Sequence, residues 1–141
     1  MADPAIDLEA FRKAARTWLS ENFPESLRGD ASAARLLENG EPSGDVGLWK
    51  QRMADKGWGA PTWPVEYGGG GLTGLEAAVL REEMLRIGAF NPMQPGMGLS
   101  MVGPTILEYA TEAQKQRHIP PIARGELRWC LGYSEPNAGS E

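Results

Sequence analysis

The end of the chain holds the residue types best suited to bind an anionic ligand. A β-prone run at residues 129–133 leads into S-E-P and then into N-A-G-S, which ends at Ser140. Gly139 permits a positive φ and Ser140 offers both a hydroxyl and an N–H, so the stretch could form a cradle of backbone N–H groups. The same residue types dominate ordinary turns, and composition alone favours a plain strand-ending turn.

Glycine and carboxylate motifs elsewhere in the chain are incomplete. The glycine run at residues 68–71 lacks the Lys-Ser/Thr pair of a phosphate-binding loop, so we interpret it as a tight loop packed on Trp63. Gly96-x-Gly98 lacks the third glycine of a dinucleotide fingerprint. Glu82 and Glu83 point about 100° apart on a helix and are predicted to form a solvated edge, so no acid/base dyad is identified.

Composition is typical of a globular protein without a nucleic-acid or membrane partner. The 141 residues carry a net charge of −5, with 41% hydrophobic and 23% charged residues and no basic stripe. The single cysteine, Cys130, is predicted to be a small buried hydrophobe, and with one histidine, His118, the chain lacks ligands for a metal site. No membrane span or secretory leader is predicted, and we expect a reduced, cytoplasmic protein.

Apolar spacing predicts helices over most of the chain and a strand at its end. Capping-box patterns begin at Thr73 and Thr111, and Gly57 and Gly88 follow two of the helices as stops. The helix over 96–110 is apolar nearly all round, so it is predicted to lie in the middle of a domain, with a kink at 103–104. The predicted elements are a helix up to residue 22, a short helical patch at 33–38, helices at 45–56, 73–87 and 96–110, a helix from 114 to the proline pair at 120–121, one last turn at 122–124, and a strand from 127.

The run G-Y-S-E-P-N-A-G-S-E at residues 132–141 closely resembles the flavin-binding signature of the acyl-CoA dehydrogenase family. The resemblance extends to 57–64 with 66–69, and to 103–105 followed by 111–115, in the family's order and spacing. Two residues depart from the family pattern: Asn137 stands where Gly is usual, and Glu141 where Asp is usual. Asn readily enters the left-handed region, so we expect Asn137 to preserve the turn.

The resemblance assigns roles to individual residues. It implies that FAD is bound beside Ser134, whose hydroxyl and N–H would lie near the reactive edge of the flavin. The methionines of the fourth helix suit either core packing or, as the resemblance implies, the wall of an acyl-chain tunnel. The implied cofactor-binding residues are Leu131, Tyr133, Ser134, Gly139 and Ser140, and the implied substrate-binding residues are Ser140, Met97 and Met101.

The resemblance also implies a fold and an activity. The fold is an all-α orthogonal bundle, the N-terminal domain at residues 1–125, followed at 126–141 by the first strand and flavin-binding turn of a middle β-domain. The activity is FAD-dependent α,β-dehydrogenation of an acyl-CoA to a 2-enoyl-CoA, with electrons passed to an electron-transfer flavoprotein. The family's catalytic glutamate base comes from a C-terminal domain outside this sequence, so no catalytic residue is assigned. Complete members of the family are commonly homo-oligomers.

Three alternatives stay open at this point. The chain could be a non-catalytic helical interaction domain, a half-enzyme that shares its flavin site with a partner chain, or part of an oxidase that uses oxygen as the electron acceptor. The first predicts a stable protein without flavin, and the second predicts flavin binding only with the partner. The third requires an oxygen-consumption assay.

Overall fold

The computed structural model describes residues 4–30, 32–37, 42–93 and 96–139, and the regular secondary structure in these residues is helical. No strand ladder occurs in this described part, where one isolated bridge joins Glu135 to Ala138. The all-α fold class is therefore confirmed. In chain order the elements are α1 (Pro4–Asn22), a 3₁₀ turn (Glu25–Leu27), α2 (Ala33–Leu36), α3 (Gly44–Lys56), a second 3₁₀ turn (Val65–Tyr67), α4 (Gly74–Ile87), a π-helical turn (Gly98–Val102), α5 (Gly103–Tyr109) and α6 (Glu112–Ala123).

Capping residues begin and end the helices where the sequence predicts. α3 is followed by Gly57 and α4 by Gly88, both with a left-handed backbone that glycine adopts without strain. At the start of α4, Thr73 Oγ1 accepts a hydrogen bond from the Glu76 N–H at 3.2 Å, and Glu76 Oε2 accepts one from the Thr73 N–H at 2.7 Å. The predicted helices at 45–56 and 73–87 are confirmed, and α2 confirms the short patch, whose predicted end at residue 38 lies outside the described residues.

α6 continues without a break through the proline pair and into the last turn that the sequence predicts after it. The helix includes Pro120 and Pro121 and extends to Ala123. Each proline removes one backbone donor, which normally breaks or kinks a helix. Here the neighbouring Ile119 and Ile122 are buried in the core, and this packing holds the last turn in helical form.

The apolar segment after residue 96 lies at the edge of the fold and not in its middle, so the prediction of all-round burial is wrong. Met101 is 46% exposed and Tyr109 is 84% exposed, whereas Gly98 and Gly103 are buried. A β-carbon added to Gly103 would lie 2.1 Å from Trp63 Cη2. The glycines therefore form the packing face, because the indole of Trp63 occupies the space that a side chain would need.

The core consists of two clusters. The larger cluster surrounds Trp49, which is fully buried beside α1 and donates a hydrogen bond from Nε1 to Phe90 O at 2.8 Å. The smaller cluster joins Trp63 to Ile119 and Ile122 of α6, and the side chain of Leu99 packs against both clusters. The π-helical turn therefore lies where the two halves of the core meet.

The loop at residues 58–72 is fastened to the smaller cluster. The Tyr67 hydroxyl donates to the Glu112 carboxylate, with 2.8 and 2.7 Å to the two oxygens. This bond, with a smaller contribution from burial, raises the pKa of Tyr67 to about 12. The same bond lowers the pKa of Glu112, although burial opposes it there. A β-carbon on Gly69 would lie 2.2 Å from Trp63 O, which supports the interpretation of the glycine run as a tight loop on Trp63.

Glu83 forms a buried ion cluster, which corrects the prediction of a solvated edge. Its side chain is 2% exposed, and its carboxylate accepts from Arg16 Nε and Nη2 at 2.9 Å, Arg86 Nε at 2.9 Å and Arg12 Nη1 at 3.1 Å. The bonds from Arg16, followed by those from Arg86 and Arg12, hold the Glu83 pKa far below its usual range although burial opposes them. The cluster joins α1 to α4.

Replacing Glu83 with glutamine should lower the free energy of unfolding at neutral pH by about 1–3 kcal/mol, because three arginines lose a charged partner. The wild-type protein should lose this stability as the pH falls below the ordinary value of 4.5. A depressed pKa means that the unfolded chain takes up a proton before the folded chain does. Urea unfolding followed by circular dichroism at neutral and acidic pH measures both effects.

Glu82→Gln is the matched control. The Glu82 side chain is 62% exposed and is paired with Arg12, so its replacement should change stability by less than about 0.5 kcal/mol. If the free energy of unfolding falls with pH as steeply in Glu83→Gln as in the wild type, the acid-dependent stability does not come from Glu83.

Candidate functional site

The turn at residues 134–139 brings Ser134 and Gly139 together. The Glu135 N–H donates to Ala138 O at 2.7 Å, and the Ala138 N–H donates to Glu135 O at 3.1 Å. A β-carbon added to Gly139 would lie 3.2 Å from Ser134 Oγ, which is closer than ordinary contact. A side chain at position 139 would therefore crowd the Ser134 hydroxyl, and Gly139 does not have a positive φ.

Asn137 completes the turn without a left-handed backbone. No non-glycine residue in the described ranges has a positive φ, and none of their peptide bonds is cis. The bond from Ala138 to Glu135 closes a turn centred on Pro136 and Asn137, and neither of these residues has a positive φ. The turn therefore does not use the ability of Asn to enter the left-handed region. Of the remaining predicted residues, Ser140 and Glu141 lie outside the described residues.

The segment before the turn does not form the predicted strand. Residues 126–134 have no regular secondary structure, because a strand needs a second segment to accept its hydrogen bonds and no described segment provides them. Cys130 is exposed, which corrects the prediction of a buried thiol. The cofactor candidates Leu131, Tyr133 and Ser134 are also exposed. These side chains are accessible to a ligand or to another protein surface.

Trp129 anchors this segment to α6. Its ring meets His118 edge to face with 5.5 Å between the centroids, and it packs against the smaller core cluster. The indole N–H of Trp129 is buried without a hydrogen-bond partner in the described structure. The neighbouring Arg128 donates to Leu37 O, which ties the segment to the end of α2 as well.

A cavity of about 490 Å³, here called the carboxyl-terminal cavity, lies between this segment and α5. It brings together two predicted site residues, Leu131 for the cofactor and Met101 for the substrate. Met97 is exposed but lines neither this cavity nor the one described next. Two further methionines, Met84 and Met93, belong to the larger core cluster.

A second cavity of about 610 Å³, here called the α4 cavity, was not predicted. Its walls come from α4, from the loop at 58–63, from residues 89–91 and from the π-helical turn. Most of them are apolar, including Trp58, Met84 and Phe90, and Arg81 lies among them. No local pattern identifies such a cavity, because four segments distant in the chain form it. Leu99 and Ser100 face this cavity, whereas Met101 and Val102 face the other.

The described residues contain no group of three or more His, Cys, Asp or Glu side chains that could hold a metal ion. Within the same residues, no helix combines the length and apolar character needed to cross a membrane.

Comparison with known proteins identifies the family. Residues 6–126 match the family described as Acyl-CoA dehydrogenase, N-terminal domain. Acyl-CoA dehydrogenase IpdE1 of Mycolicibacterium smegmatis is 36% identical over 140 residues, which cover 96% of this chain and 34% of that protein. The chain therefore belongs to the acyl-CoA dehydrogenase family, and the resemblance is confirmed.

Solved structures agree with this assignment. The Tcur3481-Tcur3483 steroid ACAD matches with a TM-score of 0.58 and 31% identity, over 98% of this chain and 34% of that one. The ChsE4-ChsE5 complex from Mycobacterium tuberculosis matches with a TM-score of 0.61 and 29% identity, over 99% and 32%. The chain spans about a third of the length of these relatives.

Gly103→Ala should destabilise the wall between the two cavities. The added methyl would overlap the Trp63 indole, and overpacking of this kind costs about 1–3 kcal/mol. Chemical unfolding should show this loss of stability. A change in tryptophan fluorescence should accompany it. Gly74→Ala is the control, since a β-carbon there meets no atom within 4 Å. Equal stability of the two variants would refute the packing role of Gly103.

Proposed function

We propose that this chain supplies the N-terminal domain and one side of the flavin site of an FAD-dependent acyl-CoA dehydrogenase. The observation that carries the proposal is the exposed turn at 134–139. The segment directly before this turn contains Leu131, which lines the same cavity as Met101. Residues 1–125 form the helical domain, and residues 126–141 begin a β-domain. The reaction is the α,β-dehydrogenation of an acyl-CoA to a 2-enoyl-CoA.

The residues present fit a flavin. Ser134 and Gly139 approach each other so closely that a side chain at 139 would crowd the hydroxyl, which leaves backbone at the surface for a ligand to contact. FAD, when bound, accepts the hydride that leaves the β-carbon of the acyl group. The Ser134 hydroxyl and N–H would donate to the flavin, Leu131 and Tyr133 would cover it, and Ser140 would contact both the cofactor and the CoA arm.

The remaining parts of the reaction need residues beyond this chain. The base that removes the α-proton is proposed to be a glutamate of a C-terminal domain, as the resemblance implies. The enzyme is proposed to act as an oligomer and to pass electrons to an electron-transfer flavoprotein. The match to a complex of two different proteins, ChsE4 and ChsE5, supports an assembly of several chains. It is also compatible with the alternative of a half-enzyme that shares its flavin site with a partner chain.

The acyl group is proposed to be bulky. One of the matching structures is a steroid ACAD, and the α4 cavity of about 610 Å³ with aromatic walls provides room for a wide acyl group.

The test is to purify the protein in the form that its cells produce and to measure its mass and its flavin absorbance. Bound FAD that is bleached by an acyl-CoA under anaerobic conditions supports the proposal. A protein of 15.3 kDa without flavin, alone or in complex, would favour the non-catalytic interaction domain. Oxygen consumption during turnover would identify an oxidase.

Ser134→Ala should slow the reduction of bound flavin by substrate by about 10- to 100-fold, because one preorganised donor to the cofactor is lost. Stopped-flow absorbance in a single turnover measures the rate, and unchanged circular dichroism shows that the fold persists. Cys130→Ala, a change of similar size on the same exposed segment, should leave the rate unchanged. Equal rates for Ser134→Ala and the wild type would remove Ser134 from the flavin site.

A further inference from the structure

The α4 cavity has a single charged residue among its described lining residues, and that residue is an arginine. No Asp, Glu, Lys or His contributes to the wall, whereas the chain as a whole carries a net charge of −5. Arg81 is exposed and also lines the cavity. An isolated positive charge beside apolar walls suits a ligand that combines an apolar body with an anionic group.

The surroundings of Arg81 on α4 leave its charge unneutralised. Its neighbours at helical spacing are Ala77, Ala78, Met84 and Leu85, none of which is acidic. The nearby carboxylate of Glu83 is bonded to Arg12, Arg16 and Arg86. No ion pair or hydrogen bond of the Arg81 side chain occurs within the described residues. The other arginines of this region hold the fold together, and Arg81 does not.

Two further polar side chains line the cavity from other segments. Thr62 belongs to the loop at 58–63 and Ser100 to the π-helical turn, and both are exposed. Like Arg81, neither hydroxyl has a hydrogen-bond partner within the described residues. Asn91, the remaining polar residue in the wall, is already engaged, since its amide donates to Gly59 O and accepts from the Met93 N–H. Three elements therefore contribute donors to one apolar cavity.

We propose that the α4 cavity binds the far end of the acyl group and that Arg81 selects acyl groups that end in a carboxylate. The apolar walls would hold the acyl body, and the guanidinium would pair with the carboxylate while Thr62 and Ser100 donate to it. Arg81 is then a specificity-determining residue, and the substrate class is an acyl-CoA with a second carboxylate. This inference rests on the proposed function.

Direct binding tests the site without flavin or turnover. Trp58 and Trp63 line the cavity, so tryptophan fluorescence of the 141-residue chain reports its occupancy. Octanoate and octanamide share an apolar body and differ in charge. Octanoate should bind roughly tenfold more tightly, and Arg81→Gln should abolish the difference while Arg81→Lys retains part of it. Arg117→Gln, the same change at an exposed position of α6 outside the cavity, should leave the preference intact.

Two outcomes would overturn the inference. One is an octanoate preference that persists in Arg81→Gln or is absent from the wild type. The other is a similar loss of affinity for free CoA in Arg81→Gln, because the anion that Arg81 binds would then be a CoA phosphate. Flavin content of the native protein is independent of this assay. Absence of flavin with octanoate discrimination intact would overturn the proposed function and leave only a carboxylate-binding cavity. Absence of octanoate discrimination in a protein that contains flavin would overturn this inference alone.

Turnover provides the second readout in flavin-containing native protein. Octanedioyl-CoA should have a lower KM than octanoyl-CoA, and Arg81→Gln should raise the KM for octanedioyl-CoA roughly tenfold with kcat unchanged, since the carboxylate lies far from the reacting carbons. A fall in kcat with both substrates would show a general structural role and would refute the assignment of specificity.

Discussion

The burial of one carboxylate, that of Glu83, constrains the rest of the helical structure. A carboxylate at 2% exposure loses its hydration, and three arginines replace the lost water with hydrogen bonds. Two of them, Arg12 and Arg16, belong to α1, so Glu83 must face α1. The rotation of α4 about its axis is thereby set. Arg81, two positions earlier, is about 200° away around the helix and must face the other side.

The opposite face of α4 defines the cavity because the loop at 58–72 cannot collapse into it. Close backbone contacts hold the loop on Trp63, and the bond between Tyr67 and Glu112 fastens it to α6. Trp63 in turn occupies the space above Gly103 and positions the π-helical turn. That turn separates the α4 cavity from the carboxyl-terminal cavity. The α4 cavity therefore depends on a helix orientation that is set by charges on the far side of α4, whereas no described residue of α4 lines the carboxyl-terminal cavity.

Local signals in the sequence predict the helices well, because caps, stops and apolar spacing act within a few residues. The capping box at Thr73 and the glycine stops are examples. Glu83 could not be predicted in this way, since Arg12 and Arg16 are 71 and 67 residues away in the chain. Residue types also failed to distinguish roles: Gly103 permits contact with Trp63, Gly139 permits contact with Ser134, and neither has a positive φ. The order of residues at 132–141 indicated the family where composition did not.

The exposed segment at 126–139 explains why the proposed flavin site is open on one side. Leu127, Leu131 and Tyr133 expose apolar surface there, and the indole N–H of Trp129 is buried without a partner in the described structure. Surface of this kind is stabilised when another layer covers it. Under the proposed function, the layer that covers the segment would also complete the walls around the cofactor. Flavin affinity and the docking of that layer are then linked. Binding of either one orders the segment and so strengthens binding of the other.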